Sequence, residues 1–338
     1  MNKHIFVRAL IFAAVALSAL TSCSKDGIKN QKVAVLLPDH NIVNRWAEDK
    51  QNLETVMGKY GFNATFYTAP ETADGAALQV QQMKTAIEGG AKYIVLTAID
   101  YKTINESGLL AKYPDVKFVC HDRLVLDNPH IAYVSSADTK EIGHIQALYL
   151  LNHFHSSGAS SMTIEILAGP DTDVNAKDYY DGAMALLKSY IDAGDLVITS
   201  GKKEYAQVKA DSWSIADGKK AMKSRLASYG LGDCPDMILA SNDNLAQGAI
   251  EALEEAGFTD MPVITGQDNT AMAQNNIRSF KQAMTIDKNL NDMAYNTAMI
   301  INCLMAGAPV QSSHSISVGS VKIPVFYSKN TLITIDSN

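Results

Sequence analysis

Residues 235–268 read PDMILASNDNLAQGAIEALEEAGFTDMPVITGQD, and they parse as strand, polar turn, helix, turn, strand. Met237 to Ala240 is a short apolar run of buried-strand length. Ser241-Asn242-Asp243 follows at once, and each offers a short side-chain oxygen able to cap the next helix. Ala246, Ile250 and Leu253 recur at helical spacing, and Gly257 supplies the stop. Pro262 to Thr265 is the second apolar run, ending in Gly266-Gln267-Asp268. Two neighbouring parallel strands therefore each carry amide and carboxylate groups at their C-terminal ends, where open α/β sheets hold ligands.

The same alternation extends in both directions. Lys32–Leu37, Ala64–Thr68, Tyr93–Thr97 and Val116–Cys120 read as strands, with helical patterns between them at Val43–Tyr60, Gly75–Glu88 and Lys102–Lys112. The pattern restarts with helices at Glu141–Phe154, Ala176–Ala193 and Trp213–Tyr229 around strands at Met162–Leu167 and Leu196–Thr199. After the opening unit come a strand at Ala283–Ile286 and a helix at Leu290–Met305. Val310–Gly319 is Ser-rich and turn-like, and a strand pair, Ile323–Tyr327 with Leu332–Ile335, closes the chain. Helices alternating with buried strands predict an α/β fold built on doubly wound parallel sheets. A length of 338 residues exceeds what one core usually serves, so two such units are expected.

Charge narrows the function. Thirty-six acids against 29 Lys and Arg give a net charge of −7, leaving no basic face for phosphates, so nucleic acid is excluded as a partner. Lys3 and Arg8 precede the apolar run Ala9–Leu20, which is too short to span a bilayer as a mature helix. Leu20-Thr21-Ser22-Cys23 resembles a bacterial lipobox, which implies removal of residues 1–22, acylation of Cys23, and a tether over 23–31. The expected location is the cell envelope, as a periplasm-facing lipoprotein held on a bacterial membrane. Cys120, Cys234 and Cys303 are odd in number and widely spaced, so neither a disulfide framework nor a zinc site is expected.

The strand ends collect the chemistry: Asp39 and His40, Asp100, His121-Asp122-Arg123, Asp171 to Asn175, Asn242-Asp243, Gln267-Asp268 and Asp287-Lys288. The only two tryptophans, Trp46 and Trp213, lie near such ends. Carboxylates, amides, arginines and aromatic plates are the set a sugar requires, since hydroxyls need fixed donors and acceptors and the ring's C–H face needs an aromatic surface. Taken singly, Asp and Asn at strand ends are more often turns or caps, and a helical Trp is more often core.

Catalytic and metal chemistries fail on geometry. Cys120-His121-Asp122 are consecutive strand residues, so Cys120 and His121 point to opposite faces. Asp171-x-Asp173-x-Asn175 starts like a calcium loop but has Ala176 at its glycine position and Gly182 at its glutamate position. His144, His153 and His155 have no metal spacing on a helix, and no phosphate-binding glycine loop or serine-hydrolase elbow occurs. No enzyme activity, cofactor or metal is expected.

At these residues the chain resembles the sugar-binding proteins of bacterial ABC transporters, of the ribose- and xylose-binding kind. The quoted segments, nearest to the xylose-binding branch, are Arg45-Trp46 with Asp49, Asp122-Arg123, Asp173-Val174-Asn175-Ala176, Asp211-Ser212-Trp213, Ala240-Ser241-Asn242-Asp243, Gly266-Gln267-Asp268 and Thr285-Ile286-Asp287-Lys288. The resemblance implies a type I periplasmic binding protein with a three-crossover hinge near Val134–Asp138, Met284–Lys288 and Gln311–Val318. It implies lobes at 32–135 plus 286–313 and at 136–285 plus 314–338. Arg45, Asp122, Arg123, Asn175, Asn242, Asp268 and Lys288 would bond a monosaccharide, a pentose such as xylose or a related aldose, with Trp46 and Trp213 flanking its ring. Asp39 joins this set from its strand-end position. The implied partner is an ABC transporter permease; the alternatives are a periplasmic sugar sensor that presents its ligand-bound form to a membrane kinase or chemoreceptor, and a binder of a nucleoside or autoinducer-like ligand.

Overall fold

A computed structural model describes residues 31–337. The signal segment, Cys23 and most of the tether lie outside the described residues. The first sheet is built from β1 (Lys32–Pro38), β2 (Asn63–Ala69), β3 (Tyr93–Leu96), β4 (Lys117–His121) and β5 (Ile131–Ala137). The second is built from β6 (Met162–Leu167), β7 (Leu196–Val197), β8 (Met237–Ala240) and β9 (Val263–Ile264). β10 (Met284–Asp287), β11 (His314–Val318), β12 (Val321–Ser328) and β13 (Thr331–Thr334) finish the strand set. The first sheet runs β11-β12-β5-β4-β3-β1-β2, and every pair in it is parallel except β11 with β12. The second runs β7-β6-β8-β9, all parallel. β10 lies beside β9 through Ala283 N–H to Ile264 C=O and Asp268 N–H to Ile286 C=O, both 2.9 Å, and pairs antiparallel with β13.

The helices form where apolar spacing, caps and stops agree. Arg45–Tyr60 buries Trp46, Leu53, Val56 and Met57 and stops at Gly61, whose left-handed φ of 75° a Cβ would disfavour. Val174–Ala193 begins at Asp173, whose side chain accepts from Asn175 N–H. The region expected as one helix over Lys102–Lys112 is two, Tyr101–Glu106 and Leu109–Lys112, because Gly108 between them takes φ 65°. Two short helices, Tyr205–Val208 and Ala271–Arg278, lacked enough apolar repeats to be read from the sequence. Apolar layers cover both faces of each sheet, as parallel sheets require: Leu36, Ile94 and Phe118 on one face of the first and Val35, Val95 and Val119 on the other.

The C-terminal reading is corrected. Residues 310–319 are not wholly a turn-like crossing, since His314–Val318 is β11. The expected closing pair does not form. β12 joins the first sheet beside β5, and β13 pairs with β10. The assignment of all of 314–338 to the second lobe therefore fails for β11 and β12. The third passage between sheet systems lies between Ser328 and Thr331, not at Gln311–Val318. Val134–Asp138, expected as crossover, is largely strand, and the chain leaves the first sheet after Ala137. Alternating β patterns do not say which distant strand they will join.

Candidate functional site

The C-terminal ends of the two sheets face each other across a cleft. β4 ends at His121, and the chain turns through Asp122 at φ 63° into Arg123. β9 leads through Gly266-Gln267 to Asp268 at φ 101° and Asn269 at φ 52°. Non-glycine residues at positive φ are uncommon and cost on the order of 1–3 kcal/mol, so both carboxylates are held in directions that the surrounding structure enforces. Asp122 is held by its N–H to Ser135 C=O (2.8 Å) and by Ser136 Oγ donating to its carbonyl (2.6 Å). Beneath the Asp268 loop, Asp243 accepts from Thr270 N, Thr270 Oγ1, Gln282 Nε2 and Thr285 Oγ1 at 2.8–3.0 Å. Gly266 runs so close to that cluster that a Cβ would stand 2.3 Å from Asp243 Oδ1.

An inner chamber is lined by Arg45, Trp46, Asp122, Arg123, Asp173, Tyr179, Trp213, Asn242, Gln267, Asp268 and Lys288, with Val43. Arg45 Nη2 lies 2.7 Å from Asp122 Oδ2, and its Nη1 lies 3.7 Å from Asp268 Oδ1. Lys288 Nζ is 2.8 Å from Asp268 Oδ1 and 3.9 Å from Asp122 Oδ2. Arg123 bridges Glu71 Oε1 (2.6 Å) and Asp173 Oδ2 (2.7 Å). These groups fill the chamber so closely that about 20 Å³ remains. That is little more than the ~10–15 Å³ one water needs.

The charges are stabilised by one another. Burial alone would raise the Asp122 carboxyl, but Arg45, Lys288 and Arg123 outweigh it and hold the group down at about 2. Burial and Arg45 work against the Lys288 charge, and Asp268, Tyr179 and Asp122 overcome them, raising its pKa above the ordinary amine value. Not every polar atom is satisfied: Arg45 Nε and Nη1 and Gln267 Oε1 are buried without hydrogen-bond partners among the described residues. Buried polar groups left unpaired are costly, and these atoms are donors and acceptors that a polar molecule could satisfy.

The two indoles are fixed at their polar ends. Trp46 Nε1 donates to Glu71 Oε2 (3.3 Å) and Trp213 Nε1 to Asp173 Oδ2 (3.0 Å). The guanidinium carbons of Arg45 and Arg123 stand 4.1 and 5.0 Å from the Trp46 ring centre, within cation–π range. Trp213 packs edge-on to Tyr179 and passes over Gly169, where a Cβ would lie 2.0 Å from the indole.

Of the ten binding residues expected, Arg45, Trp46, Asp122, Arg123, Trp213, Asn242, Asp268 and Lys288 line this chamber. Asn175 sits just behind it, donating to Asp122 Oδ1 at 3.1 Å. Asn242 serves also as a helix cap, accepting from Leu245 N–H at 2.9 Å. Asp39 is outside: its carboxylate accepts from Asn41 N and Nδ2 at 3.0 and 2.7 Å, closing a turn at the surface. Glu71, Asp173, Tyr179 and Gln267 were not in the expected set. Asp173 and Gln267 stood inside motifs already singled out, whereas nothing local distinguishes Glu71 or Tyr179 from other surface and helix residues.

The Cys120–His121 pairing does not form. His121 faces Asp49 (Nε2 to Oδ1, 3.1 Å) and Thr297, away from Cys120, whose thiol burial pushes up to about 12. No cluster of metal-ligating side chains and no helix long and apolar enough to cross a membrane occurs among the described residues.

Comparison with known proteins agrees with this geometry. Residues 33–309 match the family described as periplasmic binding protein domain. The chain is 29% identical to the multiple sugar-binding periplasmic receptor ChvE of Rhizobium radiobacter over 268 residues, 78% of this chain and 75% of that one. It is 24% identical over 296 residues to the D-xylose-binding periplasmic protein of Escherichia coli K12, 88% of this chain and 84% of that one. The fold superposes with a TM-score of 0.84 and 27% identity on an ABC transporter solute binding protein from Clostridium phytofermentans, crystallised with β-D-glucose, covering 90% of this chain and 94% of that one. These relatives are binding proteins, not enzymes. With the sheet topology, the cleft and a family match that runs through both sheets, this chain belongs to the periplasmic binding protein domain family.

Proposed function

We propose that this chain captures a monosaccharide, a pentose such as xylose or a related aldose, in the cleft between two hinged lobes and delivers it to an ABC sugar transporter. One observation carries the reading. Arg45, Arg123 and Lys288 meet Asp122, Asp173 and Asp268 in one buried chamber between two anchored indoles. Fixed cations donate to ring and hydroxyl oxygens, fixed carboxylates accept from hydroxyls, and the indoles cover the C–H faces. A multiple-sugar relative and a glucose-bound structural neighbour support an aldose as the ligand. On sugar entry, hydroxyls take over partners that now pair directly. Three chain passages between the sheet systems would carry the opening motion as hinges.

The lipobox ending at Cys23 supports a lipid anchor on the periplasmic side of a bacterial membrane. The test of capture is a thermal-shift panel of pentoses, hexoses and nucleosides, because only a ligand of the native state raises the melting temperature by linkage. No response to any aldose would overturn the proposal. A second role, presenting the sugar-bound form to a membrane sensor, is favoured by the receptor description of the Rhizobium radiobacter relative. Sugar uptake measured with and without this chain separates delivery from sensing.

A further inference from the structure

Outside the inner chamber, the cleft widens into a second cavity of about 210 Å³, roughly ten times the space left in the inner chamber by the same measure. Arg123, Asp173 and Trp213 line both spaces, so side chains alone separate them. The belt between them is a single run of contacts, Trp46 to Glu71 to Arg123 to Asp173 to Trp213.

The outer cavity has its own chemical character. Its charged lining is Glu71, Asp100, Asp173 and Asp211 against Arg123. Glu71 and Asp173 are bound to Arg123, Asp100 caps the Tyr101–Glu106 helix, and Asp211 pairs with Lys220. An anionic occupant is therefore repelled, and one that donates hydrogen bonds is favoured. Thr72, Thr103 and Ser212 also line this space, their hydroxyls bonded to Gly75 N–H, Asp100 and Asp217, and Ala76, Ile99, Pro170 and Trp213 give it an apolar side. Acceptors, hydroxyls and an apolar surface within ring-sized space repeat, in looser form, the recognition set of the inner chamber.

We infer that the outer cavity is a second subsite, which takes a neutral glycosyl group attached to the captured aldose, so that this chain binds disaccharides or glycosides as well as free monosaccharides. The inference rests on the sugar-capture reading of the inner chamber. The joined ligand passes the belt at Arg123, whose guanidinium then bonds the linkage region instead of closing the space.

The experiment compares glucose and xylose with maltose, cellobiose and xylobiose by calorimetry on the full chain and on Thr172→Trp. Thr172 is exposed at the cavity mouth and is not among the inner-chamber residues, so a large ring there blocks the outer space alone. The expected result is binding of at least one disaccharide, weakened roughly tenfold or more by Thr172→Trp, with monosaccharide affinity unchanged. Thr172→Lys, with an unaltered melting temperature, gives the same selective loss without relying on one bulky variant. If a monosaccharide binds and no disaccharide does, or if the variants weaken both alike, the subsite is overturned while capture stands. If no sugar binds at all, both fall.

Discussion

Arg123 Nε lies 2.7 Å from Asp173 Oδ2, joining the end of β4 in the first sheet to the cap of a helix beside the second. This pair, with Arg45 to Asp268 and Asn175 to Asp122, runs directly across the cleft. The groups that hold the two sheet systems together are thus the groups proposed to hold the ligand. On the proposed reading, closure and binding draw on the same charges.

Arg123→Lys keeps the charge and loses the planar fork that spans Glu71 and Asp173. A charged hydrogen bond is worth about 1.5–3 kcal/mol, so aldose affinity should fall roughly ten- to a hundredfold. Calorimetry reads the affinity, and an unchanged melting temperature shows that the fold survives. Equal affinity would remove Arg123 from the site.

Asp268 separates backbone strain from function. At φ 101° a Cβ is disfavoured, so Asp268→Gly should be more stable than Asp268→Ala by about 1 kcal/mol. Both lose the carboxylate that faces Lys288 and Arg45, and both should lose aldose binding. Denaturant melts rank the stabilities. Alanine as stable as glycine would contradict the strain.

Gly169→Ala tests the indole platform. A methyl group there would lie 2.0 Å from the Trp213 ring, so the indole must move and its bond to Asp173 must lengthen. Tryptophan fluorescence should shift and aldose affinity should drop several-fold, with the sheets intact by circular dichroism. An unshifted spectrum would show that Trp213 is not pinned there.

The supporting carboxylate Asp243 carries a pH signature. Burial, then the Asp268 charge, pushes its carboxyl up to about 7, although the Thr270 N–H and the Gln282 and Thr285 side chains donate to it and pull the other way. A folded pKa above the unfolded ~3.9 means that the native state holds a proton the unfolded chain releases. That contribution is fully present below the unfolded value and is lost as pH rises from about 4 through about 7. Melting temperatures across that window should fall for the wild type and flatten in Asp243→Asn. An identical slope in the variant would assign the pH dependence elsewhere.

Most of this architecture was written locally. The alternation of apolar runs and helical stripes from Lys32 to Leu290 set out strands and helices in order, because periods of 2 and 3.6 are properties of neighbouring residues. Polar residues at strand ends marked five of the eight expected side chains that line the chamber, Asp122, Arg123, Asn242, Asp268 and Lys288, because a parallel sheet delivers all its C-terminal ends to one edge, whereas Arg45 was implied by the resemblance alone. The fold decided the rest. Asp39 and Asp268 read alike as strand-end acids, yet one closes a surface turn and the other faces Arg45, since a carboxylate's direction follows the φ of its own residue. Glu71 entered the site only because a guanidinium 52 positions away reached it. β12 chose β5 and not β13, because strand partnership is a contact between distant segments that neither segment's own residues spell out.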